Sequence, residues 1–169
     1  MFLFKSDLEK KAERLESLSY ENTPEFSFAG KEFLSKVLDI YDGDTLTITI
    51  KVDNQYYRTN CRLMGIDTPE LKSHDLEEKN AARLARKYLI MLITGQNVSP
   101  DITRNEVKNL CATANIIVKV KCLEFDKYGR LLIQLWKNSL NLNDKMVEDK
   151  FAGKYDGGTK GNWQDYFQK

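Results

Sequence analysis

Five short strand-like runs, a helical period after the third and a further helix after the fifth predict a mainly β domain with helices, an α+β architecture. Strands in that order and of that length fit a small closed or partly open five-stranded barrel of the OB type. The 169 residues, 41% of them hydrophobic, are enough for one proper core. The expected organisation is an N-terminal helix and connector over residues 1–35, the barrel over 36–155 and a polar tail over 156–169.

From Lys5 to Leu18 the chain is charged and helix-forming, with Leu8, Ala12, Leu15 and Leu18 on one narrow face. That spacing predicts a short amphipathic helix docked on the barrel or on a partner protein. Tyr20 to Gly30 reads as a connector that packs through Phe26 and Phe28. Lys36–Tyr41 is the first expected strand, and Thr45–Val52 the second, alternating through Leu46, Ile48, Ile50 and Val52. Between them Asp42-Gly43 is a hairpin signal, with the glycine expected at positive φ. Asp53-Asn54 turns the chain into a third strand over Gln55–Ile66, which Pro69 stops for want of an amide hydrogen.

Leu76–Thr94 takes a helical period, with Leu76, Ala81, Leu84, Ala85, Tyr88, Leu89 and Leu92 on one face. Asp75 or Ser73 can cap it and Gly95 can end it. Gln96–Asn109 is polar, contains Pro100 and reads as an excursion with about one helical turn. Ile116–Phe125 and Leu131–Trp136 are the last two strands, joined by a turn with Gly129 at the positive-φ position. Asn143 is expected to cap a final helix through Phe151, and Tyr155–Lys169 to form a loosely held tail.

Lys and Arg number 26 against 25 acids, a net charge of +1, so charge alone points to no partner. No apolar run is long enough to span a membrane, and the run at Met1 to Asp7 is too short for a signal peptide. A soluble, intracellular protein is expected. Cys61, Cys111 and Cys122 lack metal-type spacing and suit free thiols, with Cys61 and Cys122 packed as small apolar side chains.

The chemistry gathers at Arg62 to Glu70, reading Arg-Leu-Met-Gly-Ile-Asp-Thr-Pro-Glu. Asp67 and Glu70 stand at a strand end, close enough to bracket a cation or a cation and its water. Asp44 joins them from the second strand, and three gathered carboxylates repel one another unless a cation neutralises them. Carboxylate oxygens and a main-chain carbonyl such as that of Thr68 suit calcium better than zinc. Arg62 adds a planar fork of donors that matches a phosphate. The lone histidine, His74, reads as ordinary surface.

Asp-Gly-Asp-Thr at Asp42 to Thr45, the Arg62 to Glu70 stretch, and Asp-Lys-Tyr-Gly-Arg at Asp126 to Arg130 together resemble the staphylococcal nuclease (thermonuclease) family, in that family's order. The resemblance covers roughly Lys36 to Phe151 and implies an SNase-like OB barrel. It implies a calcium-dependent nuclease that cleaves DNA and RNA and leaves 3′-phosphates. On its motifs Asp44, Asp67 and the Thr68 carbonyl bind calcium, Glu70 holds or deprotonates the attacking water, and Arg62 and Arg130 clamp the phosphate. Lys127 is expected to touch a substrate phosphate, Tyr128 to stack on a base or bond a phosphate, and Tyr155 to serve as a second platform. Residues 96–109 stand out as an insertion against that pattern. The competing reading is a non-catalytic module of the same fold that binds nucleic acid or protein.

Overall fold

A computed structural model describes residues 6–167. Lys5, where the expected first helix begins, and Gln168 and Lys169 of the expected tail lie outside the described residues. The first helix, α1 (Asp7–Glu16), opens with a capping box: the Ser6 hydroxyl accepts from the Glu9 N–H while the Glu9 carboxylate accepts from the Ser6 N–H. None of its residues is buried, and Leu8 and Leu15 face outward. The expected docking of this stripe on the barrel does not occur.

The barrel begins with β1 (Glu32–Ile40), β2 (Thr45–Val52) and β3 (Gln55–Leu63), an antiparallel meander. A turn leads to the short β4 (Ile66–Asp67), then α2 (Leu76–Thr94) and α3 (Arg104–Thr113). β5 (Ile117–Phe125) returns beside β1, and β6 (Leu131–Lys137) pairs with β5. The chain finishes with β7 (Leu140–Asn141), α4 (Leu142–Glu148) and β8 (Gly153–Lys154), the last paired to β4. Closure comes from β6 running parallel to β3, with Cys61 opposite Leu131, Arg62 opposite Leu132 and Leu63 opposite Ile133. The five long strands therefore make a closed mixed barrel of the expected OB type, which leaves few backbone groups unpaired at its edges.

Strict alternation fills the interior. Leu46, Ile48 and Ile50 of β2 meet Val118, Val120 and Cys122 of β5 and Leu131, Ile133 and Leu135 of β6. α2 closes one end with Ala85, Leu89, Ile90 and Ile93, and Asp75 caps it by accepting from the Glu77 N–H. Each fully buried Leu or Ile side chain contributes about 1.5–3 kcal/mol. Cys61 and Cys122 sit among them as small apolar groups, as expected.

Several elements depart from the pattern. β1 starts at Glu32, where exposed Leu34 hides the alternation. The third strand stops at Leu63, because Gly65 at φ 81° turns the chain before Ile66 and Asp67 pair with β8. Leu76 is exposed on the first turn of α2. Residues 104–113 form a helix rather than one turn, opened by a capping box of Thr103 and Glu106 and anchored by buried Val107 and Cys111. Val107, Leu110 and Cys111 give it a short apolar face inside an otherwise polar stretch.

The tail is tied down: the Tyr166 ring lies over Gly153, where a Cβ would come within 2.5 Å of it, and Phe167 meets Phe151 edge-on at 5.8 Å. Phe151 in turn stacks on Tyr88 at 4.1 Å.

Asn141, not Asn143, caps α4, which ends at Glu148 rather than Phe151. Asn143 is a buried bridge instead. Its Oδ1 accepts from the Leu135 N–H at 3.0 Å, and its Nδ2 donates to the carbonyls of Met64 at 2.9 Å and Ile133 at 3.0 Å. It thus staples the turn after β3 to β6. Asn143→Ala strands these backbone groups in the interior, so chemical denaturation should show a loss of about 2–3 kcal/mol, since each buried unpaired group costs about 1–3 kcal/mol. A loss under 0.5 kcal/mol would show that water replaces the amide.

Candidate active site

The turn between β1 and β2 is an acid-capped loop: Asp42 Oδ1 accepts from the Asp44 N–H at 3.1 Å and the Thr45 N–H at 2.7 Å. Gly43 is not at positive φ, contrary to the hairpin expectation. Close approach is what requires it. A Cβ there would stand 2.9 Å from Thr68 Cγ2 and 3.0 Å from the Ala85 Cβ. The turn therefore lies flat between α2 and the β4 loop, which carries Asp44 under Asp67.

Arg62, near the end of β3, holds that pair together. Its Nη1 donates to Asp44 Oδ1 at 2.9 Å, and its Nη2 reaches Asp44 Oδ2 at 2.9 Å and Asp67 Oδ1 at 2.8 Å. The Ile66 carbonyl accepts from the same nitrogen at 3.3 Å. Burial works against this guanidinium charge, but Asp44 and Asp67 outweigh it and hold the arginine protonated beyond its ordinary range. Burial pushes the Asp44 carboxyl up to about 7, and Asp42 adds to the rise against the pull of Arg62. Burial likewise raises Asp42, with Glu70 adding to it against the two backbone hydrogen bonds.

Glu70 is half exposed on the rim, and its N–H is pinned at 3.1 Å by Glu78 of α2. An open cleft of about 700 Å³ lies over these groups. Asp42, Arg62, Glu70, Lys127, Tyr128 and Arg130 all line it. Asp67 and Thr68 are buried beneath. Arg130 is aimed by Asp126, whose Oδ2 accepts from Nε at 2.7 Å, and it reaches Thr45 Oγ1 at 3.3 Å. Gly129 has φ 77°, as the turn expectation required. Tyr128 is 73% exposed, with Lys127 Nζ 5.1 Å and the Arg130 guanidinium 5.6 Å from its ring centre. An accessible ring flanked by two cations suits a base and its phosphates. Tyr155 also lines the cleft, but its hydroxyl donates to the Gly158 carbonyl at 2.8 Å.

All nine residues singled out in the sequence thus lie in or directly beneath one cleft. Two further groups went unforeseen. Asp42 was read only as turn chemistry, although it is a carboxylate in the same cluster. Lys160 comes from the tail: its Nζ stands 2.9 Å from Asp67 Oδ1 and 2.5 Å from Glu70 Oε1. Spacing along the chain gives no signal for a contact across ninety residues.

Among the described residues no three Asp, Glu, His or Cys side chains converge as metal ligands. Arg62 and Lys160 stand between the carboxylates. The donor chemistry nevertheless suits a hard cation, because Asp44, Asp67 and Thr68 offer oxygen only and the acids outnumber what Arg62 neutralises. For these oxygens to hold such an ion, Lys160 would have to leave Asp67 and Arg62 would have to share Asp44 and Asp67 with it.

A sequence profile described as staphylococcal nuclease homologue matches residues 60–168. The chain belongs to that family. An uncharacterized protein of Methanocaldococcus jannaschii is 24% identical over 83% of this chain and 68% of its own length. An uncharacterized protein of Bacillus anthracis is 27% identical over 69% of this chain and 45% of its own length. The thermonuclease of Staphylococcus hyicus is 25% identical over the same share of this chain and 56% of its own. The chain thus spans about half the length of the latter two. The staphylococcal nuclease profile begins inside β3, so the turn that carries Asp42 and Asp44 precedes it.

Titration of Asp44 sets a sign for stability. Its folded value of about 7 lies above the ordinary 3.8, so between those values the folded protein holds a proton that the unfolded chain has lost. Stability from this group is complete below about pH 4 and falls as pH rises through 7. Asp44→Asn should raise the metal-free melting temperature at pH 8 by roughly 5 °C, with the gap closing at pH 4. A gap that is the same at both pH values would show that Asp44 does not titrate in this window.

Proposed function

We propose that this protein is a nuclease, a phosphodiesterase that hydrolyses DNA or RNA with calcium as cofactor and leaves 3′-phosphates. The observation that supports it most is the placement of Glu70, Arg62 and Arg130 around one cleft beside the Lys127–Tyr128 platform. The catalytic unit spans residues 36–155, and the segments 1–35 and 156–169 are additions to it. No helix among the described residues is long and apolar enough to cross a membrane. The free thiols of buried Cys61, Cys111 and Cys122 suit an intracellular, reducing setting.

In this reading a substrate strand crosses the cleft with a base on Tyr128 and a neighbouring phosphate against Lys127. The scissile phosphate lies between the guanidinium groups, whose donors neutralise its oxygens and strengthen their bonds as charge builds in the five-coordinate state. Glu70 orients a water opposite the 5′-oxygen and accepts its proton as the water oxygen bonds to phosphorus. The P–O5′ bond breaks, the 5′-oxygen takes a proton from solvent, and the 3′ side keeps the phosphate. Asp44, Asp67 and the Thr68 carbonyl would hold calcium, which when bound supplies further positive charge to the phosphate and to the attacking water. Arg62 is tied to Asp44 and Asp67, so it also builds the site that it serves.

Digestion of single- and double-stranded DNA and RNA, with calcium, magnesium or a chelator, tests the reading. Calcium should support cleavage and magnesium should do so poorly, since magnesium demands tighter octahedral geometry. Glu70→Gln should slow cleavage by roughly a hundred- to ten-thousandfold while nucleic-acid binding survives. Arg62→Lys and Arg130→Lys should each cost about a hundredfold or more. Only Arg62→Lys should also lower the melting temperature, because its fork holds two buried acids. Binding without cleavage by the wild-type protein under every condition would favour a non-catalytic module, and full activity in Glu70→Gln would end the mechanism.

A further inference from the structure

The tail loop that carries Lys160 is fixed at both ends, one of them on the site's own strand. At one end Gly153 and Lys154 pair with Asp67 and Ile66 of β4, and the Tyr155 N–H donates to the Gly65 carbonyl at 2.9 Å. At the other end Tyr166 covers Gly153 and Phe167 packs against Phe151. Residues 156–162 between these anchors are exposed, and three of them are glycine, Gly157 at φ 98° among them. The segment is thus a tethered arch with few side chains to hold it down, and its one cation points into the acids.

The seat that this cation takes is specific. Asp67 Oδ1 accepts from Lys160 at 2.9 Å and from Arg62 at 2.8 Å, and Glu70 Oε1 lies 2.5 Å from the same ammonium. Tyr166 adds a second sign of an unfinished site. Its hydroxyl is buried with no hydrogen-bond partner among the described residues, and Asp67, Asp44 and Glu70 are near enough to act on it. A compact monovalent head on a flexible stem neutralises the carboxylates without ordering them as a divalent ion would.

We propose that Lys160 is a built-in counter-ion: its ammonium occupies Asp67 and Glu70 in the metal-free protein and must leave them when a divalent cation binds. Metal loading is then coupled to displacement of the 156–162 arch, and the freed lysine remains on the cleft wall facing substrate phosphate. This inference rests on the calcium-site reading above. Displacement has a measurable consequence, because a competent state populated one part in ten binds its ligand about tenfold more weakly than the competent state alone.

Calcium titration calorimetry on the full chain and on Lys160→Gln tests it, with nucleic acid absent. Lys160→Gln should bind calcium about tenfold or more tightly than the wild type. In parallel, acylation of wild-type amines read by mass spectrometry should rise at Lys160 when calcium is added, while exposed Lys154 stays constant. Equal affinity in the two proteins, weaker binding by Lys160→Gln, or tighter binding without a rise in Lys160 acylation would each overturn the displacement. Absence of calcium binding in both proteins would remove the calcium reading itself and this inference with it. Equal binding by both would remove this inference and leave the calcium reading standing.

Discussion

The Arg62 guanidinium, wedged between Asp44 and Asp67, is the contact on which the site depends. It joins the start of β2, the end of β3 and β4 through charge-assisted hydrogen bonds of 2.8–2.9 Å at a place with little water. Buried acids so close together would each drive the others towards protonation. One planar fork meets both, which an ammonium could not do with the same geometry. The bulk of such an arrangement's worth lies in what its loss would leave behind, since a buried charge without its partner costs several kcal/mol.

Barrel closure explains why a second arginine stands beside the first. β6 runs parallel to β3 with Arg62 opposite Leu132, and side chains of alternate residues share a face. Arg130, two residues before Leu132, therefore falls on the same face, roughly 8 Å from Arg62 when the strand spacing and rise are combined. That distance suits two groups reaching one phosphate from different sides. Asp126 then fixes the direction, bonding the Arg130 backbone and Nε across a tight turn whose left-handed corner is Gly129. The fold and the proposed phosphate clamp share one cause, the parallel seam.

Local chemistry was legible and long-range placement was not. Leu46, Ile48 and Ile50 declared β2 by alternation, Asp75 and Gly95 bounded α2, and three short motifs marked the cleft before any pairing was known. Asn143 misled because an asparagine near a helix start reads as a cap, whereas here its amide faces the interior and Asn141 caps instead. Gly43 misled for a similar reason. Its need for space arises from Thr68 and Ala85, which are remote in sequence, rather than from its own backbone angle. The helix over 104–113 and the Lys160 contact share this limit, since each depends on what a polar segment meets after folding.

Three acids of the site each have a cation of the chain against them. Asp44 has the Arg62 fork, Asp67 has Arg62 and Lys160, and Glu70 has Lys160. Asp42 is met by two backbone N–H groups. Burial and neighbouring charge still raise Asp42 and Asp44, so neutralisation is incomplete and the cluster keeps an appetite for positive charge. Beneath the cleft Asp44 and Asp67 share a single guanidinium, and Lys160 reaches Asp67 from the tail. In the calcium reading proposed above an external ion would have to contend with these same internal cations, and we infer that Lys160, on its glycine-rich arch, is the one that yields.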